Sequence, residues 1–207
     1  MVRKILPMLL VLIALSLAVC GESGKVEQGR VVKSDPTKTP AVAWISPGFG
    51  IAATHPDYSV LPAHAFTITP YPGALGPEPH GGLRVKLDVE NKLITMYDFG
   101  TNDFDKLSFE LVERQDGVNP RRQHPLVWDP ATRKERPFPV VKADERTVTI
   151  FSRRQEMLVT IKLSEEDFAK YQPADWDAGD EVRIYYKEPG KSLSFMNVTR
   201  TDFTKRK

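Results

Sequence analysis

The stretch FPVVKADERTVTIFSRRQEMLVTIKLSEEDFAKYQP, Phe138 to Pro173, holds three runs of alternating β-branched and polar residues. Such alternation puts every second side chain on one face, so strands are predicted over 139–143, 146–152 and 157–163. The period then changes. Ser164 is a good helix N-cap, Glu165, Glu166 and Asp167 fill a first turn where the helix dipole favours acids, and Pro173 lies past the end. Downstream, DEVRIYYK (Asp180 to Lys187) and SLSFMNVTR (Ser192 to Arg200) form a hairpin across EPGK. Three strands, a short helix and two strands is the order of an OB-fold. A mainly β protein is therefore expected, with a small OB-like Greek-key barrel over residues 138–203 that folds largely on its own.

The same chemistry recurs upstream. GRVVKSD (Gly29 to Asp35) and AVAWIS (Ala41 to Ser46) flank a turn with Pro36. LRVKLDV (Leu83 to Val89) and LITMYDF (Leu93 to Phe99) flank Glu90-Asn91-Lys92, again a hairpin signature. ENKLITMY (Glu90 to Tyr97) aligns with DERTVTIF (Asp144 to Phe151) at a constant offset of 54. Both continue to another strand, KLSFELVE (Lys106 to Glu113) and EMLVTIKL (Glu156 to Leu163). Two explanations stand: duplication of a hairpin-plus-strand unit, or convergence on the Asp that hairpin turns select. Residues 47–82 are crowded with Pro and Gly but also carry Phe49, Ile51, Leu61, Phe66, Ile68 and Tyr71. That is too apolar for a linker, so this insertion is expected to cover barrel surface, with a strand near AFTITPY (Ala65 to Tyr71). A second irregular stretch, 117–137, is the best connector between an N-terminal β-rich half, 27–116, and the barrel.

At the N-terminus, Arg3 and Lys4 precede the uncharged run ILPMLLVLIALSLAV, Ile5 to Val19. A basic start and a short apolar run read as a secretory signal. A membrane span needs about 20 apolar residues, and this run is shorter and carries Pro7. The one cysteine of the chain, Cys20, ends the run. LAVC (Leu17 to Cys20) resembles the lipobox of bacterial lipoproteins, in which the cysteine thiol carries diacylglycerol and the peptide is cut just before it. The resemblance implies a signal peptide over 1–19, lipid attachment at Cys20 and a tether over 20–26. The sequence departs from the pattern at Val19, where Gly, Ala or Ser is usual. Ser16 and Ala18 offer an alternative cut after Ala18, which leaves Cys20 a free thiol. A sole unpaired cysteine is unusual in an exported protein, and lipidation accounts for it. By resemblance to Gram-negative lipoproteins, Gly21 in place of Asp implies the outer membrane, facing the periplasm. The last third is similar in style to small envelope lipoproteins.

The precursor has 29 basic and 27 acidic residues, and without Arg3 and Lys4 the two totals are equal. A nucleic-acid binder shows a net basic domain or stripe, so nucleic acid is not an expected partner. His55, His64 and His80, with Asp57 or Glu78, are the candidate metal ligands. Their spacings of nine and sixteen match no helix or knuckle motif, and surface or packing histidines explain them more simply. The acids of YDFGTNDFD (Tyr97 to Asp105) do not follow the EF-hand spacing, so a polar turn explains them and no cofactor is expected. Arg121, Arg122, Arg133, Lys134 and Arg136 crowd the connector. They read as a solvated face, with contact to anionic lipid head groups as the second reading. No GxSxG, no recognisable triad and no Gly-rich loop before a helix is present. The sequence points to a membrane-anchored, non-enzymatic binding or assembly module with an envelope protein partner. The alternatives are an envelope metal-handling protein using His55, His64 and His80, and a hydrolase with a site dispersed over distant strands.

Overall fold

The computed structural model describes residues 23–48, 61–68, 73–153 and 155–201. Cys20, His55 and Asp57 lie outside them. The described chain is mainly β, with one α-helix among the described residues. No helix among them is long and apolar enough to cross a membrane.

The largest sheet gathers strands from both ends of the chain. It joins β1 (Lys25–Asp35), β2 (Val42–Pro47), β3 (His64–Thr67) and β4 (Ala74–Leu75) to β14 (Glu181–Tyr186) and β15 (Ser192–Asn197). Its order is β3-β2-β1-β14-β15-β4, antiparallel except for the β15–β4 edge. β5 (Arg84–Asp88), β6 (Leu93–Asp98) and β7 (Asp103–Ser108) form an antiparallel meander. β8 (Glu110–Asp116), β11 (Val140–Lys142), β12 (Thr147–Ser152) and β13 (Met157–Lys162) form a four-stranded sheet in the order β11-β12-β13-β8. β9 (Trp128–Asp129) and β10 (Lys134–Glu135) make a small hairpin between them. The helix α1 (Glu165–Lys170) starts at the foreseen cap: Ser164 Oγ accepts a hydrogen bond from Asp167 N at 3.0 Å.

The OB-like barrel over 138–203 does not form. β14 and β15 leave β11–β13 and join β1, with β14 paired to β1 from Lys25↔Tyr186 to Arg30↔Glu181. The other edge of the C-terminal meander is taken by β8, which pairs with β13 across residues 117–137. The reason is burial. Val182, Ile184 and Phe195 pack with Val31, Ala43, Ile45, Phe66 and Ile68, an apolar face that β1–β3 cannot cover by themselves.

The two meanders correspond at the offset of 54. β6 matches β12, and β7 matches β13, at both ends. Lys92 and Arg146 both adopt φ 53°, while Asn102 and Glu156 adopt 53° and 48°. The hydrogen bonds Phe109 N to Lys92 O and Leu163 N to Arg146 O are each 3.1 Å. Ile94, Met96, Leu107 and Phe109 meet Val148, Ile150, Ile161 and Leu163 in one core. Left-handed backbone in non-glycine residues is uncommon. Its repetition at matched positions exceeds what a shared preference for turn Asp explains, and it favours duplication.

β1 serves two cores. Its register shifts between Val31 and Lys33, and the bulge lets two consecutive residues turn inward. Val31 enters the core of the large sheet, and Val32 packs with Val85 and Tyr97. The large sheet and the first meander are thereby bolted together at β1.

Candidate functional site

Two segments run side by side where the sheets meet: residues 80–84, entering β5, and residues 175–180, entering β14. Leu83 N donates to Asp175 O at 3.1 Å, Arg84 N to Asp177 O at 3.0 Å, and Asp180 N to His80 O at 2.8 Å. β1 completes the junction through Val31 N to Asp180 O at 2.9 Å and Gly82 N to Val31 O at 3.1 Å. Such close passage needs residues without a Cβ. A Cβ at Gly179, which has φ +60°, would sit 1.9 Å from Val31 O, and one at Gly82 would sit 2.2 Å from Asp177 O.

The junction carries charged side chains in fixed positions. Asp180, 3% exposed, accepts from His80 N at 2.8 Å, Asn197 Nδ2 at 2.9 Å and Arg200 Nε at 3.1 Å. His80 Nε2 lies 3.0 Å from Asp177 Oδ2. Arg84 donates from Nε to Trp176 O at 2.9 Å. Arg30, on β1, donates from Nη1 to Ala178 O at 3.2 Å and Gly179 O at 3.1 Å. Burial, and next the positive charge of Arg30, push the Arg84 guanidinium down to about 10, with Asp177 offsetting part of the effect. Burial pulls the Asp177 carboxyl upward, but the hydrogen bond and charge of His80 outweigh it and hold it below the ordinary value. The Asp177 hydrogen bond raises His80 above its ordinary 6.5.

A pH dependence follows. His80 is raised in the folded state, so the stability its pair contributes is complete below the unfolded value near 6.5. It is lost as pH rises through the higher folded value. The His80 side chain is 49% exposed, so screening keeps the effect under about 1 kcal/mol. Thermal unfolding followed from about pH 6 to about pH 9 is expected to show this decline, and Asp177→Asn is expected to flatten it.

The opposite wall comes from the four-stranded sheet and the small hairpin. Phe138 and Phe151 lie with ring centroids 5.8 Å apart, and Arg153, past the end of β12, is ion-paired with Glu135 of β10. Between the walls is a cleft of ≈ 390 Å³, bordered by His80, Arg84, Asp177 and Arg200 on one side and by Phe138 and Phe151 on the other. Arg84, Phe151, Arg153 and Asp177 also border an adjoining cleft of ≈ 610 Å³ that reaches Arg30, Asn119 and Arg183.

Of the candidate residues read from the sequence, His80 alone among the described histidines reaches this cleft. His64 is on β3, with Nδ1 3.0 Å from Glu27 Oε1 of β1. Glu78 is exposed, and its segment borders a different pocket. Among the described residues no three His, Cys, Asp or Glu side chains gather in a metal-holding group. Two acids of 97–105 already have partners: Asp98 takes Gly100 N at 2.8 Å and Thr101 Oγ1 at 3.0 Å within the turn, and Asp105 takes Tyr171 OH at 2.6 Å from beyond α1. Arg121 and Arg122 fall in a 3-10 turn, and Arg133 and Lys134 at the β9–β10 hairpin, where Arg122, Arg133 and Lys134 are exposed. Arg136 borders the cleft and donates from Nε to Pro125 O at 3.2 Å. Sequence reading missed Arg30, Arg84, Asp177, Asp180 and Arg200. The paired glycines of His80-Gly81-Gly82 and Ala178-Gly179 were the available signal, because glycine permits the close backbone passage that builds the site.

No curated protein and no solved structure matches the chain. Residues 22–206, nearly everything past the cysteine, match one family described as a domain of unknown function, and the chain belongs to that DUF4881 family.

Proposed function

We propose that the chain is a lipid-anchored protein of the bacterial cell envelope that works as a non-enzymatic binding module. Acyl chains on Cys20 hold it, at the outer membrane and facing the periplasm, and it binds through the cleft between its sheets. The cleft carries this reading. Charged groups on β5 and on the segments entering β5 and β14 converge on a gap of ≈ 390 Å³, within the range of about 300–1,000 Å³ typical of small-molecule sites. The anchor is supported by the position of Cys20 at the end of the apolar run, and by a family match that begins just after it, at residue 22. β1 begins at Lys25, five residue steps past Cys20, so the tether spans at most about 18 Å. So short a reach favours a partner at the same membrane, such as a neighbouring envelope protein.

Each buried methylene of an acyl chain contributes about 0.8 kcal/mol, so two or more chains hold firmly. Cys20→Ser is therefore expected to move the protein from the membrane pellet to the soluble fraction, with its unfolding midpoint unchanged. Mass spectrometry of the mature N-terminus is expected to find diacylglycerol on Cys20. An unmodified peptide starting at Val19 would sink the anchor. Crosslinking of the native protein in its own envelope tests the partner: adducts through cleft residues support the binding reading, and adducts confined to the opposite face of the large sheet oppose it.

A further inference from the structure

Arg84 is the least compensated charge of the cleft. Its side chain belongs to a residue only 8% exposed, and its one hydrogen bond among the described residues is Nε to the Trp176 carbonyl. No described carboxylate forms an ion pair with it, and the nearby acids are already engaged: Asp177 with His80, and Asp180 with His80 N, Asn197 and Arg200. Both terminal NH2 groups are left without a protein partner among the described residues and open on the cleft. A buried guanidinium is strongly disfavoured unless its charge and its donors are met. The proximity of Arg30 sharpens the demand, since two like charges share one low-dielectric pocket.

The charge of the cleft narrows what meets that demand. Arg30, Arg84, Arg136, Arg153, Arg183 and Arg200 line this cleft and the adjoining one, against Glu135, Glu156, Asp177, Asp180 and Glu181. Six basic and five acidic groups leave one positive charge with His80 neutral and two with it protonated, so the cleft takes an anion. The forked donors of arginine match a planar carboxylate bidentately. The apolar wall is supplied by Phe138 and Phe151.

The geometry points to Arg84 as the seat of a ligand carboxylate: the cleft takes a small organic monoanion whose carboxylate meets the terminal NH2 groups of Arg84 and whose apolar body lies against Phe138 and Phe151. This rests on the cleft being a binding site.

The test titrates the full-length protein with phenylacetate, benzyl alcohol and phenyl phosphate. Binding is followed by NMR at the arginine Nε–H signals, assigned through bonds, and at backbone amides. Phenylacetate is expected to shift the Arg84 signal saturably, and benzyl alcohol is not. Phenyl phosphate, a dianion facing five acids, is expected to bind at least about tenfold more weakly. Arg84→Lys keeps the charge and loses the fork, and is expected to weaken phenylacetate by about tenfold or more. Undiminished affinity in Arg84→Lys, or tighter binding of phenyl phosphate, would overturn the assignment. Should that variant not fold, the wild-type signal decides, because phenylacetate binding that leaves Arg84 unmoved overturns it equally. Saturable shifts at Ala178 and Thr199 with Arg84 unmoved would reject the carboxylate seat and leave cleft binding standing. No saturable shift at any cleft residue with any of these probes would reject both.

Discussion

A chain truncated to residues 138–207 will not unfold cooperatively, because it lacks half of each core it belongs to. The buried cluster of the large sheet takes Val31, Ala43, Ile45, Phe66 and Ile68 from upstream and only Val182, Ile184 and Phe195 from the fragment. The other main core loses Leu87, Val89, Ile94, Met96, Leu107 and Phe109. β14 also loses its six paired positions on β1. What remains of that sheet is the β14–β15 hairpin, and an isolated two-stranded hairpin is marginal in water. Urea titration of the fragment by circular dichroism is expected to show a shallow, featureless slope. A sigmoidal transition would mean that β14 and β15 have an alternative partner within the fragment. The full chain unfolding in a single transition would complete the comparison, since β1 joins the large sheet to the first meander.

Trp176→Ala is expected to destabilise the protein by about 3–5 kcal/mol, the usual range for emptying a buried aromatic site. That is a large share of the total, which is about 5–15 kcal/mol for a domain. Trp176 is fully buried, with its ring centroid 6.3 Å from Phe168 in a stacked pair and 5.3 Å from Tyr171 edge-on. It closes the 3-10 turn Pro173–Trp176, where Asp175 Oδ2 accepts from Gln172 N at 2.8 Å, and its carbonyl holds Arg84. Trp176→Phe separates packing from hydrogen bonding. The indole Nε1 finds no acceptor among the described residues, and a buried donor left unmet costs about 1–3 kcal/mol. The phenyl ring forgoes some area but removes that donor, so a change within about 1.5 kcal/mol is expected. Equilibrium urea unfolding of both variants measures the difference, and equal losses would show that the indole N–H is satisfied in solution.

Local patterns settled a good deal. Alternation of β-branched and polar residues marked β6, β12 and β13, and Ser164 with its acids marked the start of α1, because side-chain period and cap chemistry act within a few residues; the single strand expected over Lys106 to Glu113 is instead divided between the end of β7 and the start of β8. The offset of 54 was legible for the same reason: Glu90–Tyr97 and Asp144–Phe151 spell one hairpin twice. The choice of partner for β14 was not legible. A strand edge offers the same N–H and C=O groups to any neighbour, so pairing is set by which apolar face remains uncovered, and that face lies more than a hundred residues upstream in Val31, Ala43 and Ile45. The site was hidden in the same way. In Leu83–Val89, alternation reads Arg84, Lys86 and Asp88 as one strand face, yet the register shifts between Arg84 and Lys86, and Arg84 is buried while Lys86 is exposed. What separates them is that shift together with the passage of residues 175–180 over one end of β5, made possible by Gly82 and Gly179. Local chemistry determined that a cation stands at position 84, and only the meeting of two distant segments decided that it would be enclosed.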